Sequence, residues 1–179
     1  LPKGIVTFVG IIACIAFLVE GAIMDWGSVF LTTVRHFDMS LAGTAFTVFS
    51  AAMLTMRLFG DWTVQKLGQE RVVIGGSLLA VAGFLLVIFA AEPALLYLGF
   101  FAIGIGCANV VPVFFSLLGK QRVMPVSLAV PAVSTLGYLG ILMGPAVIGF
   151  IAHQTSLYTA FGLLAFLVLL QSIIGAYVY

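Results

Sequence analysis

Six runs of apolar residues, each long enough to cross a bilayer, leave this chain few folds to choose from. They cover residues 4–24, 41–59, 72–91, 94–118, 127–152 and 157–178. A helix of about 20 such residues spans the roughly 30 Å of hydrocarbon in a membrane. The chain is 63% hydrophobic and 7% charged, whereas a soluble domain is about half apolar and a quarter charged. The expectation is an all-α, polytopic membrane protein in which residues 1–179 form a single six-helix domain, with no room for a separate soluble one. The first run does not read as a cleaved leader, because no small-residue cleavage site follows it and five more runs do. Leu1, Pro2 and Lys3 read as the end of a linker, so the chain is expected to be part of a longer polypeptide.

The few charges lie between the runs rather than along one face, in Arg35-His36-Phe37-Asp38, residues 61–71, Glu92-Pro93 and Lys120-Gln121-Arg122. That pattern excludes a nucleic-acid partner. If the helices alternate in direction, Lys3, Arg57, Lys66, Arg71, Lys120 and Arg122 fall on the side of the N-terminus and Arg35 alone on the other. The positive-inside rule then puts both termini in the cytoplasm. Cys14 and Cys107 sit inside apolar runs and read as packing, and no zinc spacing accompanies them. No metal or cofactor is expected.

Polar residues are shared unequally among the runs, which is informative because a polar group facing lipid is costly. The third and sixth runs are nearly uniform, offering mainly Ser77 in one and Tyr158 and Thr159 in the other. The second carries Thr44, Thr47, Ser50 and Thr55, the fourth Asn109 and Ser116, and the fifth Ser134, Thr135 and Tyr138. Two lipid-facing helices at positions three and six suggest a three-plus-three arrangement of helices. In the fourth run Ala102, Gly106, Asn109, Pro112, Val113 and Ser116 form one small and polar stripe, which fits either a cavity wall or close helix packing. Pro112 is expected to bend this helix. In the fifth run Ser134, Tyr138 and Pro145 lie near one face, while Gly140 and Gly144 make a GxxxG pair on another. Tyr138 reads either as a substrate contact or as an interfacial tyrosine. Glu20 and Asp25, at the outer end of the first run, read either as a proton pathway or as interfacial carboxylates bonded to Arg35 or to helix ends.

The segment Arg57-Leu58-Phe59-Gly60-Asp61-Trp62-Thr63-Val64-Gln65-Lys66-Leu67-Gly68-Gln69-Glu70-Arg71 resembles the inter-helix signature of the major facilitator superfamily. Gly60-Asp61 stands as the pair closing one helix, and Lys66, Gly68 and Arg71 as the basic-Gly-basic run opening the next. Arg57 stands where that pattern has its first Gly, and the spacing from Asp61 to Gly68 is longer than usual. Gly137 to Pro145 with Gly149 is similar to the Gly- and Pro-rich fifth helix of a facilitator half. Glu20 to Trp26 resembles the start of a C-terminal half in bacterial members of poorly defined substrate.

The resemblance implies half of a twelve-helix carrier in a bacterial inner membrane, moving a small solute by alternating access with proton coupling conceivable. Its partner would be an N-terminal six-helix half or a second copy of this half. It also implies that Arg57, Gly60, Asp61, Lys66, Gly68 and Arg71 act as a conformational lock at the cytoplasmic helix ends. The competing reading is a transporter-fold receptor or assembly subunit without flux. An intramembrane protease is disfavoured, since Gly60-Asp61 lacks a preceding Gly and no Gly-x-Ser-Gly accompanies a His.

Overall fold

The computed structural model describes residues 2–178, and Leu1 of the expected linker lies outside them. Among the described residues, six helices are long and apolar enough to cross a membrane. The first span is Ile5–Val34, in which α1 (Ile5–Val29) passes directly into a π-helical segment at Phe30–Val34. It therefore runs well past residue 24, where the sequence reading stopped it. Single carboxylates do not break a helix that contains no proline, and Trp26 to Val29 resume the apolar pattern. Glu20 is consequently at the midpoint of the span, not at its edge.

The second span, Met39–Leu58, opens with a 3-10 turn at Met39–Leu41 and continues as α2 (Thr44–Leu58), and after Phe59 comes a separate short helix, α3 (Gly60–Leu67). The charged segment 61–71 is thus largely helical rather than a loop. Asp61 occupies the first turn of α3 and Lys66 its last, and these signs suit the helix dipole. Gly60-Asp61 opens this helix instead of closing the one before. Gly68 ends it at φ 86°, a backbone conformation that side chains rarely adopt. The remaining elements are α4 (Gln69–Phe89), α5 (Pro93–Ala108), α6 (Val110–Leu118), α7 (Val126–Gln154) and α8 (Leu157–Val178). Together α5 and α6 make the fourth span, Pro93–Leu118.

The packing repeats itself. α1 lies along α7 as α5 lies along α2, and α4 meets α5 as α8 meets α1, with α4 and α8 against each other. Exchanging the first three spans for the last three leaves this set of neighbours unchanged, which is the three-plus-three architecture. Lipid offers no hydrophobic drive between helices, so close backbone approach carries the association. A Cβ on Gly140 would overlap the carbonyl of Cys14, and one on Gly144 would lie 2.9 Å from that of Leu18.

The interior divides into two apolar clusters, one around Phe30, Phe84, Phe100 and Phe161 and one around Val6, Val73, Phe114 and Val133. Buried Ser77, Asn109 and Gln171 lie along the chain where one cluster gives way to the other. Only 22% of an 18-residue stretch in each of the second and fifth spans is buried, against 61% in the fourth. Their free faces are the widest the fold leaves open.

Candidate functional site

Arg57 is in the last turn of α2, at the end of the second span, and its guanidinium reaches Glu20 of the first span. Its Nη2 donates to Glu20 Oε1 at 3.2 Å. Glu20 is 14% exposed in its side chain and Arg57 42%, so the acid is sheltered while the base faces outward. Glu20 thus pairs with Arg57 rather than with Arg35.

The other edge of the guanidinium is held by the fourth span. Arg57 Nε donates to the Ala108 carbonyl at 3.2 Å. That carbonyl is available because the residue four positions on is Pro112, which has no N–H. The span is interrupted in the turn before Pro112, at Asn109 (φ −102°, ψ −2°), between α5 and α6.

Asn109 is 5% exposed, and its Nδ2 has no hydrogen-bond partner among the described residues. Its Oδ1 faces Gly60 so closely that a Cβ there would come within 2.6 Å. The glycine at the start of α3 is what lets the second span close over the break in the fourth. Two clefts meet at Arg57. One, of about 290 Å³, is lined by Arg57, Gly60, Asp61, Gln69, Asn109 and Ser116. The other, of about 250 Å³, is lined by Glu20, Met24, Phe46, Ser50, Leu54 and Arg57 among others. At the far end of the first cleft Gln69 Nε2 donates to Ser116 Oγ at 2.8 Å, and Lys120 Nζ approaches Gln69 Oε1 at 3.5 Å.

The fold thus brings together Glu20, Arg57, Gly60, Asp61, Asn109 and Pro112. It does not bring the other candidates to them. Asp25 is exposed and joins no ion pair among the described residues. Ser134 and Tyr138 are on α7, where Tyr138 is 63% exposed with its ring 6.2 Å from that of Phe17. The carbonyl of Pro145 accepts from Trp26 Nε1 at 3.1 Å. Asp61 makes no ion pair among the described residues, Lys66 stacks over Trp62 at 4.6 Å, and Arg71 lines a separate groove on the far side of Asn109.

Two arrangements escaped the sequence reading. Gln171 Nε2 donates to Ser77 Oγ at 3.1 Å, fully buried, so the third and sixth spans are joined by a polar link rather than being uniformly lipid-facing. A lone Gln in an apolar run was the available signal. Arg35 donates to the Val87 and Ile88 carbonyls at 2.8 and 2.7 Å and lies over the rings of Phe30 and Tyr158. It caps the negative end of α4 and ties three spans at their far end.

Six apolar spans packed as a repeated triplet of helices make one helical membrane domain. The sequence profile of the Major Facilitator Superfamily matches residues 5–179, and the chain belongs to that family of membrane transporters. An uncharacterised transporter of this type from Yersinia pestis is 46% identical over 94% of this chain and 44% of its own length. An uncharacterised transporter from Sinorhizobium fredii is 34% identical over 94% of the chain and 45% of its own. A phosphoglycerate transporter protein from Salmonella typhimurium is 24% identical over 88% and 35%. The chain thus spans less than half the length of these relatives. The peptide transporter PepTSo superposes with a TM-score of 0.83 over 97% of this chain and 37% of its own, at 18% identity, a likeness of fold alone.

If Glu20 and Arg57 stabilise one another, a double-mutant cycle with Glu20→Gln and Arg57→Gln should return a coupling of about 1–2 kcal/mol in unfolding free energy, reduced from a fully buried pair by the exposure of Arg57. Additive single effects would show that the pair contributes nothing.

Proposed function

We propose that this chain is one six-helix half of a secondary transporter of the bacterial inner membrane, moving a small solute by alternating access and coupled to protons through Glu20 and Arg57. The observation that carries this reading is the ion pair at the midpoint of the first span, on the face that the six helices leave open. A carboxylate at that depth is costly unless paired or protonated, so a proton on Glu20 and a hydrogen bond from Arg57 are alternatives. Arg57 also holds the Ala108 carbonyl at the break in the fourth span, so releasing Glu20 changes the restraint on a hinge. A ligand or proton shifts such an equilibrium only through a difference in interaction between the two states, and this three-span link supplies one. The family and the named transporters among its relatives support carriage of a solute. An N-terminal half or a second copy of this half would cover the exposed faces of α2 and α7 and complete the cavity.

In proteoliposomes of the full-length protein loaded with a pH-sensitive dye, a panel of small organic acids, amino acids and sugars should include at least one solute that drives saturable proton movement. Glu20→Gln should reduce that movement at least about tenfold, as removal of a coupling group requires. Proton coupling unchanged in the variant, or no response to any solute, would contradict the reading.

We further propose that both termini face the cytoplasm, because Lys3, Arg57, Lys66, Arg71, Lys120 and Arg122 share the side of the N-terminus and Arg35 alone occupies the other. Cysteines placed beside Lys120 and His153 are then expected to react with an impermeant reagent from opposite sides of the membrane. Reaction from the same side would refute this orientation.

A further inference from the structure

We infer that the groove between α3, α4 and α5 binds one anionic phospholipid from the leaflet on the side of the N-terminus, with its phosphate on Arg71, a glycerol ester carbonyl on Asn109 and an acyl chain over Gly75. The inference adds a lipid ligand to the molecule and does not depend on which solute the carrier moves. The groove has a volume of about 160 Å³, and its wall includes Leu67, Arg71, Gly75, Leu79, Ile105 and Asn109. Glu20 and Arg57 take no part in it.

Two successive glycines of α4 make this groove. Gly76 faces α5, where a Cβ would lie 2.7 Å from the Gly106 carbonyl, and so lets the two helices touch. Gly75 points away from that contact, and a Cβ there would meet nothing within 4 Å. A side chain is thus missing on the outer surface of a tightly packed helix pair. From Arg71 to Leu79 the groove follows α4 for about 12 Å, most of the roughly 15 Å of hydrocarbon in one leaflet. It lies mainly on α4, off the open faces of α2 and α7 that a second half would cover. Leu67, Leu78 and Leu79 are exposed beside it, as on a surface turned to lipid.

The polar groups gather at one end. Arg71 is exposed and joins no ion pair among the described residues, and none of the described residues lining the groove is a carboxylate. Lys66, next to Leu67, adds a second exposed positive charge. Helix α4 begins at Gln69 with no side-chain cap, so the positive end of its dipole lies at the same level. Basic residues at that surface attract anionic lipid. A zwitterionic lipid carries the same phosphate with a cation attached, which Arg71 and Lys66 repel.

Asn109 supplies the second polar contact at the depth a phospholipid requires. Gly76 meets Gly106 and Gly83 meets Gly99, an antiparallel register that puts Asn109 level with Val73, about 3 Å deeper than Arg71. Its Nδ2 is buried and unpartnered among the described residues, a costly state for a donor at this depth. An ester carbonyl only accepts hydrogen bonds, and in a phospholipid it lies just below the phosphate and just above the acyl chain. That order matches Arg71, Asn109 and Gly75 along the groove. Free phosphate would leave both the amide and the apolar part of the groove unfilled.

The test is native mass spectrometry of the full-length protein, delipidated in detergent and titrated with dioleoyl phosphatidylglycerol, with the phosphatidylcholine of the same chains, and with inorganic phosphate. At equal lipid concentration the parent should retain one more phosphatidylglycerol than Gly75→Leu, which fills the groove from a position with open space around it. Arg71→Gln should weaken this phosphatidylglycerol at least about tenfold, whereas Arg122→Gln, at the same membrane surface but outside the groove, should leave it unchanged. Asn109→Ala should weaken both lipids, because they share the ester carbonyl. Each variant is to be checked for a single symmetric peak in size exclusion, and Leu79→Trp replaces Gly75→Leu if the latter aggregates, with the same loss of one lipid expected. Equal lipid occupancy in the parent and the groove-filling variant, equal retention of the two lipids by the parent, an equal loss in Arg122→Gln and Arg71→Gln, or binding of inorganic phosphate in place of the lipid would each overturn the inference.

Discussion

In a hydrocarbon slab a charged side chain finds its partner within the protein or is driven to the neutral form, and this condition shapes the centre of the molecule. Glu20 in the first span meets Arg57 in the second, and Arg57 meets the Ala108 carbonyl in the fourth. The carbonyl is free only because Pro112 cannot donate to it. A proline that would merely weaken a helix in water here supplies the acceptor that orients a membrane-embedded guanidinium. The same break leaves Asn109 buried against Gly60, so one local departure from helical geometry positions both polar groups at the meeting of the two clefts.

The rest of the fold can be read as support for that centre. Glycines let α1 approach α7 to backbone contact, and the same relation recurs between α5 and α2, where a Cβ on Gly104 would overlap the Phe49 carbonyl. The two tight pairs are held apart and aligned by α4 and α8, which are linked through Ser77 and Gln171. Arg35 closes the far end by capping α4. What remains uncovered is a face on the second and fifth spans together with the outer side of Arg57, and a second six-helix unit is the proposed cover.

The sequence disclosed the spans because the bilayer imposes a length and a composition on each, and it disclosed the small, polar stripe of the fourth span through Asn109, Pro112 and Ser116. It did not disclose the pairings. Arg57 counts only as one of the basic residues on the side of the N-terminus, because nothing local in the sequence indicates that it reaches Glu20 of the first span. Glu20 was placed at an edge for the same reason, since the continuation to Val34 depends on packing of Trp26 and Phe30 against α7 and α8. Pro112 is a local signal of the interruption in the turn before it, whereas the contact of Asn109 with Gly60 joins residues far apart in the chain. Partners across helices are tertiary facts, and one sequence read by periodicity contains none of them.

The central claim is that Glu20, Arg57 and the open faces of α2 and α7 look into a water-filled cavity between two halves rather than into lipid. Single cysteines introduced into the full-length protein in native membranes at Thr55 and Ser134 on those faces, and at Phe166 on α8, with Cys14 and Cys107 replaced by Ala, test it directly through their reaction with a membrane-impermeant thiol reagent. Rapid reaction at Thr55 and Ser134 with none at Phe166 is the predicted result. Reaction at Phe166 with Thr55 and Ser134 silent in every access state would mean that the polar face is turned to lipid, and the account would be wrong.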